Sequence, residues 1–234
     1  MKRVCIVLAI LSIVPWTACL FPNQALALGS CNPNPAAANN RYVAPVICGT
    51  GVDSTSMDAA FQIQQTAVWC WAASMSMILS FNGKPVSQQD IVADIFGATI
   101  PRALDPAHIG PYLNHTYQDH TTQQSATVSG TVLFNGRQGG SGAVLSVIIR
   151  QLRAGTPLLL FTTHHAMVMT AIYYYADYYG NPTGGVAGVV VRDPYPTQNT
   201  FNPGYITIPG HPGERVLTPQ EYFSTEYVFL VTVS

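Results

Sequence analysis

The sequence predicts an α+β fold, with helices first and strands after. Three observations carry this. Apolar residues between Val68 and Leu79 recur at helical spacing, and so do those between Val144 and Leu152. From Leu158 onward the chain turns to runs of branched and aromatic residues bounded by Gly, Asn and Pro.

The N-terminus reads as a targeting segment. Lys2-Arg3 precedes an apolar run from Val4 to Val14 broken only by Ser12, and Ala25-Leu26-Ala27 is a small-x-small cleavage signature. Residues 1–27 are therefore expected to be a secretory signal peptide. Pro15 and the shortness of the run argue against a stable membrane span. Trp16-Thr17-Ala18-Cys19 is a poor lipidation box, because Trp16 stands where an aliphatic residue belongs; lipidation at Cys19 stays open. A secreted or periplasmic location follows.

Composition agrees with export. The chain has 234 residues, 48% apolar, enough for one full-sized domain. Only 9% are charged, against roughly 25% in typical globular chains. Asn, Gln, Ser, Thr, Tyr and Gly must cover most of the surface. Without Lys2 and Arg3, eight basic residues face eleven acidic ones, a net charge of −3. No Lys/Arg cluster occurs, so nucleic acid is not an expected partner.

Five cysteines become three once Cys5 and Cys19 leave with the signal. The economical arrangement is a Cys31–Cys48 disulfide with Cys70 left as a thiol. Residues 28–55, rich in Asn, Pro, Ala and Gly, read as an irregular extension pinned by that disulfide. Residues 56–234 form the remaining domain. Its first helix starts near Cys70 and ends before Asn82-Gly83. Ser87 caps a second helix through Phe96, closed by Gly97. The stretch 98–140 reads as loop, with one short strand at Thr131–Phe134. Ser141 is the expected cap of a third helix, stopped by Gly155-Thr156-Pro157. Strands follow at Leu158–Thr162, His165–Tyr175, Val186–Val191, Tyr205–Ile208 and Tyr227–Val233. Gly180-Asn181-Pro182 and Gly184-Gly185 mark the turn before the third of these, and Thr218–Phe223 reads as a short helical turn.

Chemistry concentrates around Trp69-Cys70-Trp71-Ala72-Ala73. A cysteine at a helix N-terminus sits beside partial positive charge that favours thiolate, the nucleophilic form. Acyl transfer through such a thiol also needs a base, a group that orients the base, and donors for the oxyanion. Among six histidines, His164-His165 open an apolar strand. Neighbouring strand residues point oppositely, so only one can face Cys70; His165 is favoured and His164 is the competitor. His108, His115 and His120 lie in the loop-like stretch without ligand-spaced partners, so no metal site is expected there. His211, between Gly210 and Pro212, reads as a turn residue. Asp193, in Val191-Arg192-Asp193-Pro194, ends the strand expected to pair with that of His165 and is the candidate orienter. Gln64, six residues before Cys70, is the candidate oxyanion donor, with Gln65 and Gln62 as competitors and the Cys70 N–H as second donor.

Together, Gln64-x5-Cys70-Trp71-Ala72-Ala73, His165-Ala166-Met167-Val168 and Val191-Arg192-Asp193-Pro194 resemble a bacterial papain-like cysteine peptidase. They are similar to the compact kind that includes secreted effector peptidases of plant-pathogenic bacteria. The resemblance covers roughly residues 56–233. It implies an N-terminal helical half packed on a C-terminal antiparallel β half, with the cleft between them. It implies Cys70 as nucleophile, His165 as base, Asp193 as orienter and Gln64 as oxyanion donor. The expected function is an exported cysteine endopeptidase, a hydrolase acting through a thioester acyl-enzyme. It would act on a protein or peptide substrate as a monomer and without cofactor. An acyltransferase or isopeptidase would use the same site, and a non-catalytic binding module would keep only the scaffold.

Overall fold

The computed structural model of the protein describes residues 31–32, 46–138, 142–177, 179–195 and 206–234. The expected signal peptide at 1–27, with Cys5 and Cys19, lies outside them. So do Ser141 and Tyr205, expected to open a helix and a strand. The architecture is α+β and papain-like, but the strands do not all follow the helices as expected: two precede the first helix and a hairpin precedes the last long one.

Two strands come first, β1 (Cys31–Asn32) and β2 (Val46–Gly51). The Cys31–Cys48 disulfide joins them where they stand opposite in register. Cys70 is the free cysteine among the described residues. Helix α1 (Ser54–Ala60) is capped by Asp53, whose carboxylate accepts the Ser56 N–H. Helix α2 (Cys70–Phe81) is buried at every position from Trp71 to Leu79. A helix apolar all round must run through a core. Of its two fully buried serines, Ser76 donates to the Val86 carbonyl at 2.6 Å, while the Ser74 hydroxyl has no partner among the described residues. Helix α3 (Gln88–Phe96) is capped by Ser87 and closed by Gly97 at φ 71°, as its sequence predicts.

The strands are β3 (Asn114–Gln118), β4 (Ser125–Asn135), β5 (Leu158–Thr162), β6 (Ala166–Ala176), β7 (Pro182–Arg192), β8 (Ile206–Thr207), β9 (Glu214–Val216) and β10 (Thr225–Val233). They form an antiparallel sheet in the order β3-β4-β10-β5-β6-β7-β9-β8. Helix α4 (Gly142–Arg153) joins β4 to β5, and the short α5 (Pro219–Phe223) joins β9 to β10. Helix α2 packs on β5 and β6, the strands either side of His165. Among the described residues, no helix is long and apolar enough to cross a membrane.

Three local readings are corrected. The stretch 98–140 is not mostly loop: β3 and β4 form a hairpin within it. Only Ala126 and Val128 of the first half of β4 are buried, between exposed Ser125, Thr127 and Ser129. That alternation is too weakly apolar to read as a strand. Residues 28–55 are not wholly irregular either. Strand β2 pairs with Ala171–Ala176 of β6, on the edge that β5 covers for Ala166–Met169. Its hydrogen bonds come from a distant strand, so no local pattern announces it. Finally, Gly184-Gly185 lie inside β7 and not in the turn. The turn is built by Asp177, whose carboxylate accepts the N–H groups of Tyr179 and Asn181.

Candidate active site

Cys70 is the first residue of α2. The chain before it is folded back by Gln88, which is fully buried: its Oε1 accepts the Gln65 N–H at 3.0 Å, and its Nε2 donates to the Ile63 carbonyl and the Gln62 Oε1. The Gln64 N–H meets the Pro194 carbonyl at 2.8 Å, tying this loop to the end of β7. No side chain caps α2 at Trp69, so none competes there for the first N–H groups of the helix.

Of the three glutamines, Gln64 is the one that lines the cleft. It is 8% exposed, and its Nε2 donates one hydrogen to the Thr66 carbonyl at 2.8 Å. The amide carries a second hydrogen, and its Oε1 is buried with no hydrogen-bond partner among the described residues.

The two histidines differ in their geometry. His164 is exposed at the cleft rim, whereas the His165 Nε2 meets the Asp193 Oδ1 at 2.6 Å. His165 precedes β6, and Asp193 follows β7, which pairs with β6 through Val168 and Arg192. The Asp193 N–H is held by the Gly213 carbonyl at 2.8 Å. Gly213 has φ +67°, and a Cβ there would collide with the Phe61 ring and the Asp193 carbonyl. Only glycine fits that approach.

The electrostatics are coherent. Burial pushes the His165 pKa down, but hydrogen bonds to Asp193 and Cys70, with the charges of both groups, outweigh it and hold the imidazole at about 9. Burial pushes Asp193 up, and the hydrogen bond and charge of His165, the Arg215 guanidinium and the Tyr195 N–H bring it down to about 2. At neutral pH the pair is therefore imidazolium and carboxylate. Cys70, His165, Asp193 and Gln64 line one cleft of about 750 Å³ between the α2 end of the molecule and the sheet.

Sequence reasoning missed what stands behind Asp193. Arg215 of β9 is buried and donates from Nε to the Asp193 Oδ2 at 2.8 Å. Its two terminal nitrogens grip both carboxylate oxygens of Glu221, at 2.8 and 2.7 Å. Glu221 also closes a capping box with Thr218 at the start of α5. The Thr218-Pro219-Gln220-Glu221 pattern was the available signal for Glu221, and Arg215, in the three-residue strand Glu214–Val216, had none.

The loop histidines behave as surface residues. His108 pairs with Asp105 and His120 with Asp94, while His115 packs on Tyr117. His211 does more than sit in a turn: its Nδ1 meets Asp58 at 2.7 Å. Ligand-type atoms of Asp58, His211 and Glu214 lie within 4.8 Å of one another. Arg192 bridges both carboxylates, at 2.6 and 2.5 Å, so the cluster is an ion-pair network in which one guanidinium faces two carboxylates.

Residues 56–207 match the model of the Peptidase_C39 like family. No curated protein matches the chain.

Proposed function

The chain belongs to the Peptidase_C39-like family of cysteine peptidases, and from that premise we propose that it is an exported endopeptidase acting through a Cys70 thioester. Residues 1–27 would be the signal removed on export, and residues 56–234 the peptidase domain. The observation that carries this reading is the convergence of three elements on one cleft: the first residue of α2, the residue before β6 and the residue after β7. Nothing in the packing of a helix on a sheet requires a thiol, an imidazole and a buried carboxylate to meet there.

For attack, the Cys70 proton passes to His165, with Asp193 fixing the ring and stabilising its charge. The thiolate attacks the scissile carbonyl carbon, and the oxygen gains negative charge. The spare Gln64 N–H and the Cys70 backbone N–H are the donors that receive it. The C–N bond breaks as His165 gives its proton to the leaving amine. Water then attacks the thioester, with His165 taking its proton, and the carboxylic acid leaves as Cys70 is restored. Each proton moves between neighbouring groups, and no further co-reactant is needed.

Cys70→Ala should abolish cleavage of an unfolded protein substrate and leave the thermal midpoint close to that of the parent. Alkylation of Cys70 should do the same, and reductant should recover oxidised enzyme. Proteolysis retained in Cys70→Ala would overturn the reading. Product masses that grow by an added amine would redirect it toward acyl transfer.

A further inference from the structure

The two tryptophans beside Cys70 have a second connection to the cleft. Trp69 and Trp71 are buried, at 3% and 2% exposure, and a buried indole N–H needs an acceptor. Both find it in the same short segment. Trp69 Nε1 donates to the Ile100 carbonyl at 3.0 Å, and Trp71 Nε1 donates to the Arg102 carbonyl at 3.1 Å. Residues 97–103 are exposed at every position and have no regular structure beyond a bend after α3. Burial therefore cannot be what fixes them. The Phe96 ring assists: it packs edge-on to Trp71 at 6.1 Å, and the Arg102 guanidinium lies 4.8 Å above its centre. The next residues, Ala103, Leu104 and Pro106, line the cleft that holds Cys70.

We infer that Trp69 and Trp71 are substrate-positioning residues, suspending the cleft wall Ala103–Pro106 from the helix that carries the nucleophile. The inference rests on the peptidase reading of the cleft and says which part of this chain confines the substrate. With two bonds running from residues adjacent to Cys70, the wall and the sulfur move as one body. Their separation is then independent of how the sheet half shifts. A peptide held against such a wall meets the thiolate at a constant offset, and misplacement by about 1 Å can cost a hundredfold in rate.

The test replaces the donors and spares the bulk. The chain has three tryptophans, one of them Trp16 in the expected signal, so growth with β-(benzothienyl)alanine, near-isosteric with tryptophan but without an N–H, removes both wall bonds at once. Trp69→Phe, Trp71→Phe and Phe96→Leu give independent routes. Three readouts are compared with the parent: alkylation of Cys70 by iodoacetamide, its labelling by a peptidyl chloromethyl ketone, and amide hydrogen exchange across residues 98–106. The wall predicts faster exchange in that segment, peptidyl labelling slowed about tenfold, and iodoacetamide labelling within about twofold of the parent. Unchanged exchange with the N–H removed overturns the inference. Equal loss with both electrophiles also overturns it, because the tryptophans would then be acting on the thiol itself. A parent enzyme inert to the peptidyl probe overturns the peptidase reading, a failure seen before any tryptophan is replaced.

Discussion

Arg192 and Arg215 stand on neighbouring strands, both fully buried, each between two carboxylates with a histidine at the end of the chain. Arg192 joins Asp58 of α1 to Glu214 of β9, and Asp58 in turn holds His211. Arg215 joins Asp193 to Glu221 of α5, and Asp193 in turn holds His165. The composition of the two networks is the same. What differs is where the histidine looks: His165 lies beside the Cys70 thiol in the cleft, and His211 does not line it. A guanidinium buried between carboxylates fastens two elements together in either place. It bears on chemistry only where one of those carboxylates also orients a group that faces the nucleophile.

The largest expected effect comes from cutting the link between the network and the site. Asp193→Asn keeps the shape and removes the charge. Activity should fall on the order of a hundredfold, within the range that general acid–base groups contribute. The pH profile should also move. With Asp193 in place the imidazole is held at about 9, so the imidazolium needed in the resting pair is present below that pH and is lost as pH rises through it. Without the carboxylate, burial is opposed by less, the His165 pKa falls, and the alkaline limb of kcat/KM shifts to lower pH. An alkaline limb that stays put would mean that Asp193 does not set the protonation of His165.

Arg215→Met should have a smaller effect on rate, about tenfold, because Asp193 remains but loses a partner that aligns it. Its effect on stability should be large. Breaking one side of a buried pair costs about 3–5 kcal/mol, read as a lower urea midpoint. Acid stability changes in a definite direction. The folded pKa of Asp193, about 2, lies below its ordinary 3.8, so its stabilisation is complete above pH 3.8 and is lost as pH falls toward 2. Without Arg215 the folded pKa rises, and acid unfolding should begin at higher pH. Adding Glu221→Gln should recover part of the stability and none of the rate. If the rate returned with the stability, Arg215 would be a fastening like Arg192 and the contrast between the two networks would disappear.

The sequence made the candidate site groups readable and their supports opaque, for a physical reason. Cys70, Gln64 and the cap Ser87 are specified by near neighbours: a helix start, a six-residue spacing, a following acidic residue. Between His164 and His165 the sequence left both open: His165 stands one residue before β6 and meets Asp193 through the pairing of Val168 with Arg192, a register the apolar runs do not specify. Arg215 and Glu221 could not be joined to Asp193 from the sequence. Their meeting depends on the register of β9 against β7, and β9 is three residues long with no periodicity to read. Strand β2 was hidden for the same reason, since its hydrogen bonds run to Ala171–Ala176, more than a hundred residues away. The indole bonds of Trp69 and Trp71 lie one step further off, because carbonyls are present at every residue and nothing in the side chains of Ile100 and Arg102 marks theirs as acceptors.

The smallest effect on rate is expected at the other arginine, and it is the sharpest control. Arg192→Met leaves Asp58 and Glu214 facing one another without their cation, and removes donors to the Pro212 and Ser54 carbonyls at 2.8 and 3.1 Å. The stability cost should match that of Arg215→Met, about 3–5 kcal/mol. Yet the groups around Cys70 keep every contact, so kcat for the folded fraction, measured well below the new thermal midpoint, should stay within about twofold of the parent. Neutralising the orphaned carboxylates with Asp58→Asn and Glu214→Gln should restore much of the stability, since a buried charge pair can be replaced at little net cost. A large loss of kcat in Arg192→Met would show that the two networks communicate, either along the chain at Arg192-Asp193 and Glu214-Arg215 or through the Asp193–Gly213 backbone bond at 2.8 Å.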